Sequence, residues 1–106
     1  MPYYIVIGLD REPGAKEKRA AAQPEHRAYV SANNGPAVFL GAMQDETNSS
    51  CGSLYIFEAE NEQVVRAWID KEPYVQSGLY REIVVRPFLV GKNTLPQREF
   101  GGGQRK

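Results

Sequence analysis

Residues 61–88 read NEQVVRAWIDKEPYVQSGLYREIVVRPF, and this stretch decides the fold because it opens with a helical pattern and closes with a strand pattern. Its apolar residues fall at the i, i+4 spacing of one helical face: Val64, Val65, Trp68 and Ile69. Asn61 stands just before them and is the predicted N-cap, since its side chain can accept a hydrogen bond from the first turn. The sequence therefore predicts a helix that begins after Asn61.

Pro73 marks the end of that helix. A proline disfavours helical backbone at the residue before it, so Glu72 is expected to be extended. YVQSGLY (74–80) then indicates a short turn or helical hook. REIVVRPF (81–88) is rich in β-branched residues and is predicted to be the last strand.

The chain before residue 61 supplies three more strand patterns and one helical region. The strands are predicted at YYIVIGL (3–9), PAVFLGAM (36–43) and CGSLYIFEA (51–59). Between the first two, AKEKRAAA (15–22) favours a helix, and Pro24 is typical of the first turn of a new one. We therefore expect a short helix, a kink and a second helix from about Pro24 to Asn33.

The resulting order is β-α-β-β-α-β, which predicts an α+β, ferredoxin-like fold with a four-stranded antiparallel sheet. Both helices should cover one face of that sheet. The predicted domain spans residues 1–89, and residues 90–106 form a C-terminal tail that is either flexible or docked on a partner.

Apolar side chains occupy both faces of the predicted strands. In the first strand Tyr3, Ile5, Ile7 and Leu9 lie on one face, and Tyr4 and Val6 lie on the other. A sheet with one wet face should alternate with polar residues, and soluble monomers seldom expose a large apolar patch. The second face is therefore predicted to be buried against another copy in a homodimer, the α+β barrel arrangement.

The overall composition narrows the classes of function. The chain has 106 residues with 13 basic and 13 acidic side chains, and this balance argues against a nucleic-acid binder. One cysteine, Cys51, rules out an internal disulfide and suits a reducing compartment. The apolar run at the N-terminus is too short for a signal peptide or a membrane span. We expect a cytoplasmic protein with no membrane partner.

The single histidine, His26, lies two residues after Pro24. In the first turn of a helix that begins there, the positive end of the helix dipole disfavours the protonated imidazole, so a neutral ring could act as a base. Asp70, Glu72 and Asp45 are the carboxylates considered as its partner. The alternative is a histidine that fills space and bonds a carbonyl. One histidine, one cysteine and scattered acids are a poor metal-ligand set.

Several segments together resemble the YciI-like family of the dimeric α+β barrel superfamily. They are YYIVIGLD (3–10), PEHRAYV (24–30), FLGAM (39–43) and WIDKEPYVQSGLYREIVVRPF (68–88). The resemblance covers about residues 3–89. It implies a ferredoxin-like fold that dimerises face to face, and a His–Asp dyad in a cleft between helix and sheet.

The resemblance assigns the histidine of the dyad to His26 and the carboxylate to Glu72. This chain reads KEPY where the family has D-P-Y, so a longer glutamate replaces the aspartate, and Asp70 remains open as the partner of His26. Arg27 follows the histidine where the family has an apolar residue. It lies either near the site or on a solvent face.

Two functions follow as hypotheses. The first is a cofactor-independent lyase or isomerase that acts on a small cyclic or aromatic metabolite. In it His26 is the general base, Glu72 or Asp70 orients the ring, and Tyr74 and Arg27 bind the substrate. The alternative is a non-catalytic small-molecule-binding or accessory subunit of a metabolic pathway, which the change to Glu72 favours.

Overall fold

The structure is a computed structural model that describes residues 1–32 and 35–95. It contains four strands and three helices: β1 (Tyr3–Asp10), α1 (Ala15–Ala32), β2 (Ala37–Gln44), β3 (Ser50–Glu58), α2 (Glu62–Asp70), α3 (Pro73–Gln76) and β4 (Tyr80–Phe88).

The strands form one antiparallel sheet in the order β2-β3-β1-β4, so the two central strands are β1 and β3. Tyr4 pairs with Phe57 of β3 and with Pro87 of β4, which fixes the register on both sides of β1. This topology is the predicted ferredoxin-like α+β fold, with the four-residue α3 added before the last strand.

The first helix differs from the prediction. α1 runs without interruption from Ala15 to Ala32 and contains Pro24 in its interior, so the expected break between two short helices is wrong. Proline removes one helical hydrogen bond, the one that would reach the carbonyl of Ala20. Both Pro24 and Ala20 are exposed, so that carbonyl is accessible to water. The expected helix end at Asn33 lies outside the described residues.

One face of the sheet carries the core. Alternate residues of β1 and β3 point towards the helices and are buried: Tyr4, Val6, Tyr55 and Phe57. α2 packs on them through Val65, Trp68 and Ile69. Burying large apolar side chains is the main stabilising term in a domain of this size. The helix-covered face therefore supplies the hydrophobic core.

The opposite face, which we call the outer face, is mostly apolar, with Arg86 of β4 beside Ile5, and none of the helices in the described ranges covers it. Ile5, Ile7 and Leu54 lie on it and are half-buried, and Phe39 and Phe88 at its sides are exposed. The register places Ile56 between Ile5 and Phe39 at its centre. Both faces of the sheet therefore carry large apolar side chains, as the strand patterns indicated.

Two capping interactions place the segment between α2 and β4. Asn61 is the N-cap of α2, and its Oδ1 accepts a hydrogen bond from the Val64 N–H at 3.1 Å. Glu72 has extended backbone, with φ −69° and ψ 128°, and it caps α3. Both features confirm the predictions for this stretch.

After β4 the described chain has no further helix or strand, and Leu89 is 93% exposed. Residues 96–106 of the predicted tail lie outside the described residues. No helix within the described ranges is long and apolar enough to cross a bilayer.

Candidate active site

Glu72 lies at the base of the candidate site. Its side chain is fully buried, because the extended backbone before Pro73 turns it back beneath α1. One oxygen, Oε1, accepts a hydrogen bond from the Tyr74 N–H at 2.8 Å and so caps α3. The carboxylate is thus held by the start of the helix that follows it.

His26 contacts the same oxygen. Its Nδ1 lies 3.0 Å from Glu72 Oε1, and only 13% of the His26 side chain is exposed. The ring stacks on Tyr74, with ring centroids 3.9 Å apart and planes 12° from parallel. Because α1 is continuous, His26 lies well inside the helix rather than in a first turn, so the expected effect of a helix N-terminus does not apply.

Of the three carboxylates considered as the partner of His26, the structure places one beside the imidazole. Glu72 contacts the imidazole, whereas Asp70 is exposed at the end of α2. Asp45 lies in the turn after β2, where its Oδ1 accepts hydrogen bonds from Thr47 and Ser49. Of the two predicted substrate-binding residues, Tyr74 is buried against His26, and Arg27 is exposed on α1.

The second oxygen of Glu72 contacts a tyrosine that the sequence did not single out. The Tyr55 hydroxyl donates a hydrogen bond to Glu72 Oε2 from the centre of β3. Tyr55 Oη also lies 2.7 Å from Tyr80 Oη at the start of β4. The Tyr80 hydroxyl in turn lies 2.8 Å from Ser53 Oγ. A row of hydroxyl groups therefore leads away from the carboxylate along the buried face of the sheet.

A second ion pair ends that row. Arg19 on α1 donates to Ser53 Oγ from Nη1 at 3.3 Å. Arg19 also donates two hydrogen bonds to the buried carboxylate of Asp10, from Nη2 at 2.7 Å and from Nε at 3.2 Å. Paired, bidentate charges of this kind are the form in which ions are tolerated in a protein interior. We call the connected set of Glu72, Tyr55, Tyr80, Ser53, Arg19 and Asp10 the polar network.

Gly8 makes room for the network. A Cβ atom on Gly8 would lie 2.8 Å from three ring atoms of Tyr80, much closer than side-chain atoms approach. The absence of a side chain on β1 therefore lets the Tyr80 ring lie across the sheet. This close approach brings the Tyr80 hydroxyl to Tyr55 and Ser53.

Burial controls the ionisation of the tyrosines here. Burial raises the pKa of Tyr80 to about 12, and it raises the pKa of Tyr55 still further, with the charge of Glu72 adding to the effect. Burial also raises the pKa of Tyr74, although the nearby Arg19 opposes the rise. At neutral pH all three phenols are therefore protonated and can donate hydrogen bonds.

Sequence reasoning missed five members of the network: Asp10, Arg19, Tyr55, Tyr80 and Ser53. Each pairs with a residue on another element. A usable signal existed only for Asp10, because an acidic residue that continues the buried face of β1 requires a charged partner. In the described residues no group of three or more His, Cys, Asp or Glu could hold a metal ion.

Comparison with protein-family models matches residues 1–89 to the YCII-related domain, so the match takes in all four strands and both sides of the His26–Glu72 contact. The chain belongs to the YCII-related family. An uncharacterized protein from Haemophilus influenzae is 32% identical over 94 residues, which is 81% of this chain and 95% of that protein.

Two solved structures show the fold of this YCII-related chain in other proteins. One is 5-chloro-2-hydroxyhydroquinone dehydrochlorinase from Burkholderia phenoliruptrix in complex with 2,5-dihydroxybenzoquinone. It has a TM-score of 0.73 and 22% identity and covers 84% of this chain and 95% of that one. The other is a dimeric ferredoxin-like protein of unknown function from Jannaschia sp. CCS1. It has a TM-score of 0.54 and 14% identity and covers 85% of this chain and 100% of that one.

Proposed function

We propose that this protein is a small enzyme of lyase or isomerase type that needs no cofactor and removes a proton from a small cyclic or aromatic metabolite. His26 is the general base, and Glu72 orients its ring. The observation that carries the proposal is the 3.0 Å contact between His26 Nδ1 and the fully buried carboxylate of Glu72.

The contact leaves one nitrogen of His26 for chemistry. An ionised carboxylate only accepts hydrogen bonds, so Nδ1 carries the proton of a neutral imidazole and Nε2 presents a lone pair. Nε2 has no hydrogen-bond partner among residues 1–32 and 35–95. An orienting carboxylate behind a histidine base is the arrangement that fixes the tautomer in other proton-transfer sites.

The proposed step moves one proton. Nε2 takes it from an acidic C–H or O–H group of the substrate. The electron pair left behind forms a double bond in the substrate, and it either expels an anionic leaving group or shifts an existing double bond. The proton passes from Nε2 to water or back to the product. No oxidant or metal enters this balance.

Tyr74 and Arg27 are proposed to bind the substrate. Tyr74 stacks on the His26 ring, and the Arg19 guanidinium also lies over the Tyr74 ring, with its central carbon 5.0 Å from the ring centre. Arg27 is exposed, and its positive charge opposes the rise in the pKa of Tyr74. Arg19 is already paired with Asp10, so the exposed charge of Arg27 is the one that suits an anionic or phenolic substrate. The dehydrochlorinase of the same fold, whose named substrate is a hydroxyhydroquinone, supports that class.

The test uses purified protein and a panel of small phenols, with 5-chloro-2-hydroxyhydroquinone and 2,5-dihydroxybenzoquinone as the first probes. Turnover is followed by absorbance and chloride release, and His26→Asn and Glu72→Gln are compared with wild type. Removal of a general base typically lowers kcat by about 100- to 10,000-fold. Equal turnover by wild type and His26→Asn would refute the assignment of the base.

A non-catalytic binding or accessory subunit is the second candidate. The substitution of glutamate for the family's aspartate at position 72 favours it, because the longer side chain reshapes the pair. In this case the probes perturb the NMR signals of the His26 ring, but no substrate in the panel is turned over.

We also propose that two copies pair through the outer face to form a homodimer in the cytoplasm. The apolar character of this face supports the pairing, as does the dimeric state of the Jannaschia protein. The lone cysteine, Cys51, has a free and exposed thiol, which fits a reducing compartment.

A further inference from the structure

We infer that Tyr55 is a positioning residue for His26, acting through Glu72. The inference rests on the proposed function, which uses Glu72 alone of the polar network, and it assigns a role to the network members beyond Glu72. Tyr55 does not touch the imidazole. It donates to Glu72 Oε2, while His26 and the Tyr74 N–H occupy Oε1.

Burial of the Glu72 carboxylate has a large cost in desolvation. An ionised carboxylate with no exposed surface is tolerated only when hydrogen-bond donors surround it. Three donors in the described residues contact the Glu72 carboxylate. The Tyr74 N–H and His26 Nδ1 contact Oε1, and the Tyr55 hydroxyl contacts Oε2. The backbone donor is fixed by α3. Tyr55 is therefore the only side chain that holds the second oxygen among the hydrogen bonds of the described residues.

This arrangement fixes the direction in which the carboxylate faces. If Oε2 had no donor, the carboxylate would gain by turning that oxygen towards any other proton, including the one on His26. With Tyr55 in place, each oxygen has its own donors. Oε1 then remains opposite Nδ1, and the imidazole keeps its proton on Nδ1 and its lone pair on Nε2.

Tyr55 is itself held in place by its neighbours. Its hydroxyl has a single proton, which is committed to Glu72, and its oxygen lies 2.7 Å from Tyr80 Oη. Tyr80 is confined by its close approach to Gly8. The ion pair of Arg19 and Asp10 closes the far end through Ser53. The hydroxyl that orients Glu72 is thus connected to a second buried ion pair at the far end of the same helix-covered face.

Tyr55 also accounts for the glutamate at position 72. The YciI-like pattern has an aspartate there, and the longer side chain of glutamate reaches both the helix α1 and the strand β3 at once. The two oxygens of Glu72 contact residues on different elements, His26 on α1 and Tyr55 on β3. A Glu72→Asp variant is expected to keep one of these contacts and lose the other.

The experiment measures the tautomer of His26 by ¹⁵N NMR of the neutral imidazole, without substrate. His26 is the one histidine in the chain, so its signals need no assignment. Three variants are compared with wild type. Tyr55→Phe removes the hydroxyl that donates to Glu72 and keeps the ring. Tyr80→Phe removes the hydroxyl that contacts Tyr55 Oη. Tyr4→Phe is the matched control, because Tyr4 is buried on the same sheet face and its hydroxyl is not part of the polar network.

We expect the ratio of the Nδ1–H form to the Nε2–H form to fall about tenfold in Tyr55→Phe. Loss of a hydrogen bond to a charged group is enough to shift an equilibrium constant by about that factor. Tyr80→Phe should lower the ratio about threefold, and Tyr4→Phe should leave it unchanged. With a turned-over substrate, Tyr55→Phe should lower kcat about tenfold and leave KM unchanged. An unchanged ratio in Tyr55→Phe overturns the inference.

If Tyr55→Phe does not fold, Tyr80→Phe decides the question in the same way. The tautomer is measured without substrate, so this result and the proposed function can fail separately. A shifted ratio in Tyr55→Phe together with full turnover by His26→Asn would keep the positioning role and reject the proposed base.

Discussion

The rings of His26 and Tyr74 lie 3.9 Å apart and nearly parallel, although the two residues belong to different helices. The stacking of Tyr74 on His26 does not depend on the hydrogen bond between Tyr74 and Glu72. Glu72 is bonded by the backbone N–H of Tyr74 and not by its side chain, so a change of the Tyr74 ring leaves that hydrogen bond in place. The two ways of holding the imidazole, by stacking and by hydrogen bonding, can therefore be tested separately.

The first prediction concerns this stack. Tyr74→Phe keeps the ring and should change the free energy of unfolding by less than about 1 kcal/mol, whereas Tyr74→Leu removes an aromatic pair and should cost about 1–3 kcal/mol. Urea denaturation gives both values. The His26 ring signals should move in Tyr74→Leu and stay close to wild type in Tyr74→Phe. Equal losses of stability in the two variants would contradict a role for the stack.

The second prediction concerns Gly8. Gly8→Ala places a Cβ atom 2.8 Å from the Tyr80 ring and should cost about 1–3 kcal/mol, because the ring must shift in a packed interior. Gly91→Ala, after the end of β4, is the control. Nothing lies within 4 Å of the added Cβ there, so this variant should be neutral or slightly more stable. Urea denaturation of the two variants checks the prediction, and a neutral Gly8→Ala would disprove it.

The third prediction concerns alkaline pH. Tyr80 has a pKa of about 12 in the folded protein, against an ordinary value of 10, because it is buried. The unfolded chain therefore loses this proton first. The stability due to protonated Tyr80 is complete below pH 10 and is lost as the pH rises towards 12. One pKa unit corresponds to about 1.4 kcal/mol, so Tyr80 alone accounts for up to about 3 kcal/mol.

The measurement for this pH dependence is a series of urea denaturation curves from pH 8 to 11. Tyr80→Phe lacks the ionisable group, so its stability should decline less steeply above pH 10 than that of wild type. Parallel declines in the two proteins would show that Tyr80 does not cause the loss.

The fourth prediction concerns the outer face. Ile56 lies at its centre between Ile5 and Phe39, so Ile56→Glu would bury a charge in the proposed dimer interface. We expect a dimer for wild type and a folded monomer for this variant, measured as mass in solution at micromolar concentration. Gln63→Glu on the exposed side of α2 adds the same charge elsewhere and should remain dimeric. A monomeric wild type would rule out the pairing.

Much of the fold follows from local patterns. The four strands, the cap at Asn61 and the extended Glu72 each depend on neighbours within a few residues, and the structure places them as predicted. The helix α1 was mispredicted for a tertiary reason. Pro24 lies on the exposed side, where its lost hydrogen bond is accessible to water, and Ala22, Tyr29 and Val30 join the helix to the core.

The candidate site was less accessible from the sequence. The resemblance to a family pointed to His26 and Glu72, but no local pattern indicates that Tyr55 and Arg19 belong to the same cluster. Tyr55 is 17 positions from Glu72, and Arg19 is 34 positions from Ser53. Such pairs depend on which strands are neighbours and on which face the helices cover. The alternation of residues along β3 assigns each side chain to one of two sheet faces. It does not show which of these faces the helices cover.

Glu72 begins α3 and holds the imidazole with the same oxygen. A relative without the proposed reaction would still need an acceptor at this position to start the short helix, so an acidic side chain here has a structural reason as well. Finding an acid here in a distant relative is therefore no sign of activity. Under the proposed function, His26 is therefore the more informative position when diverged sequences are compared.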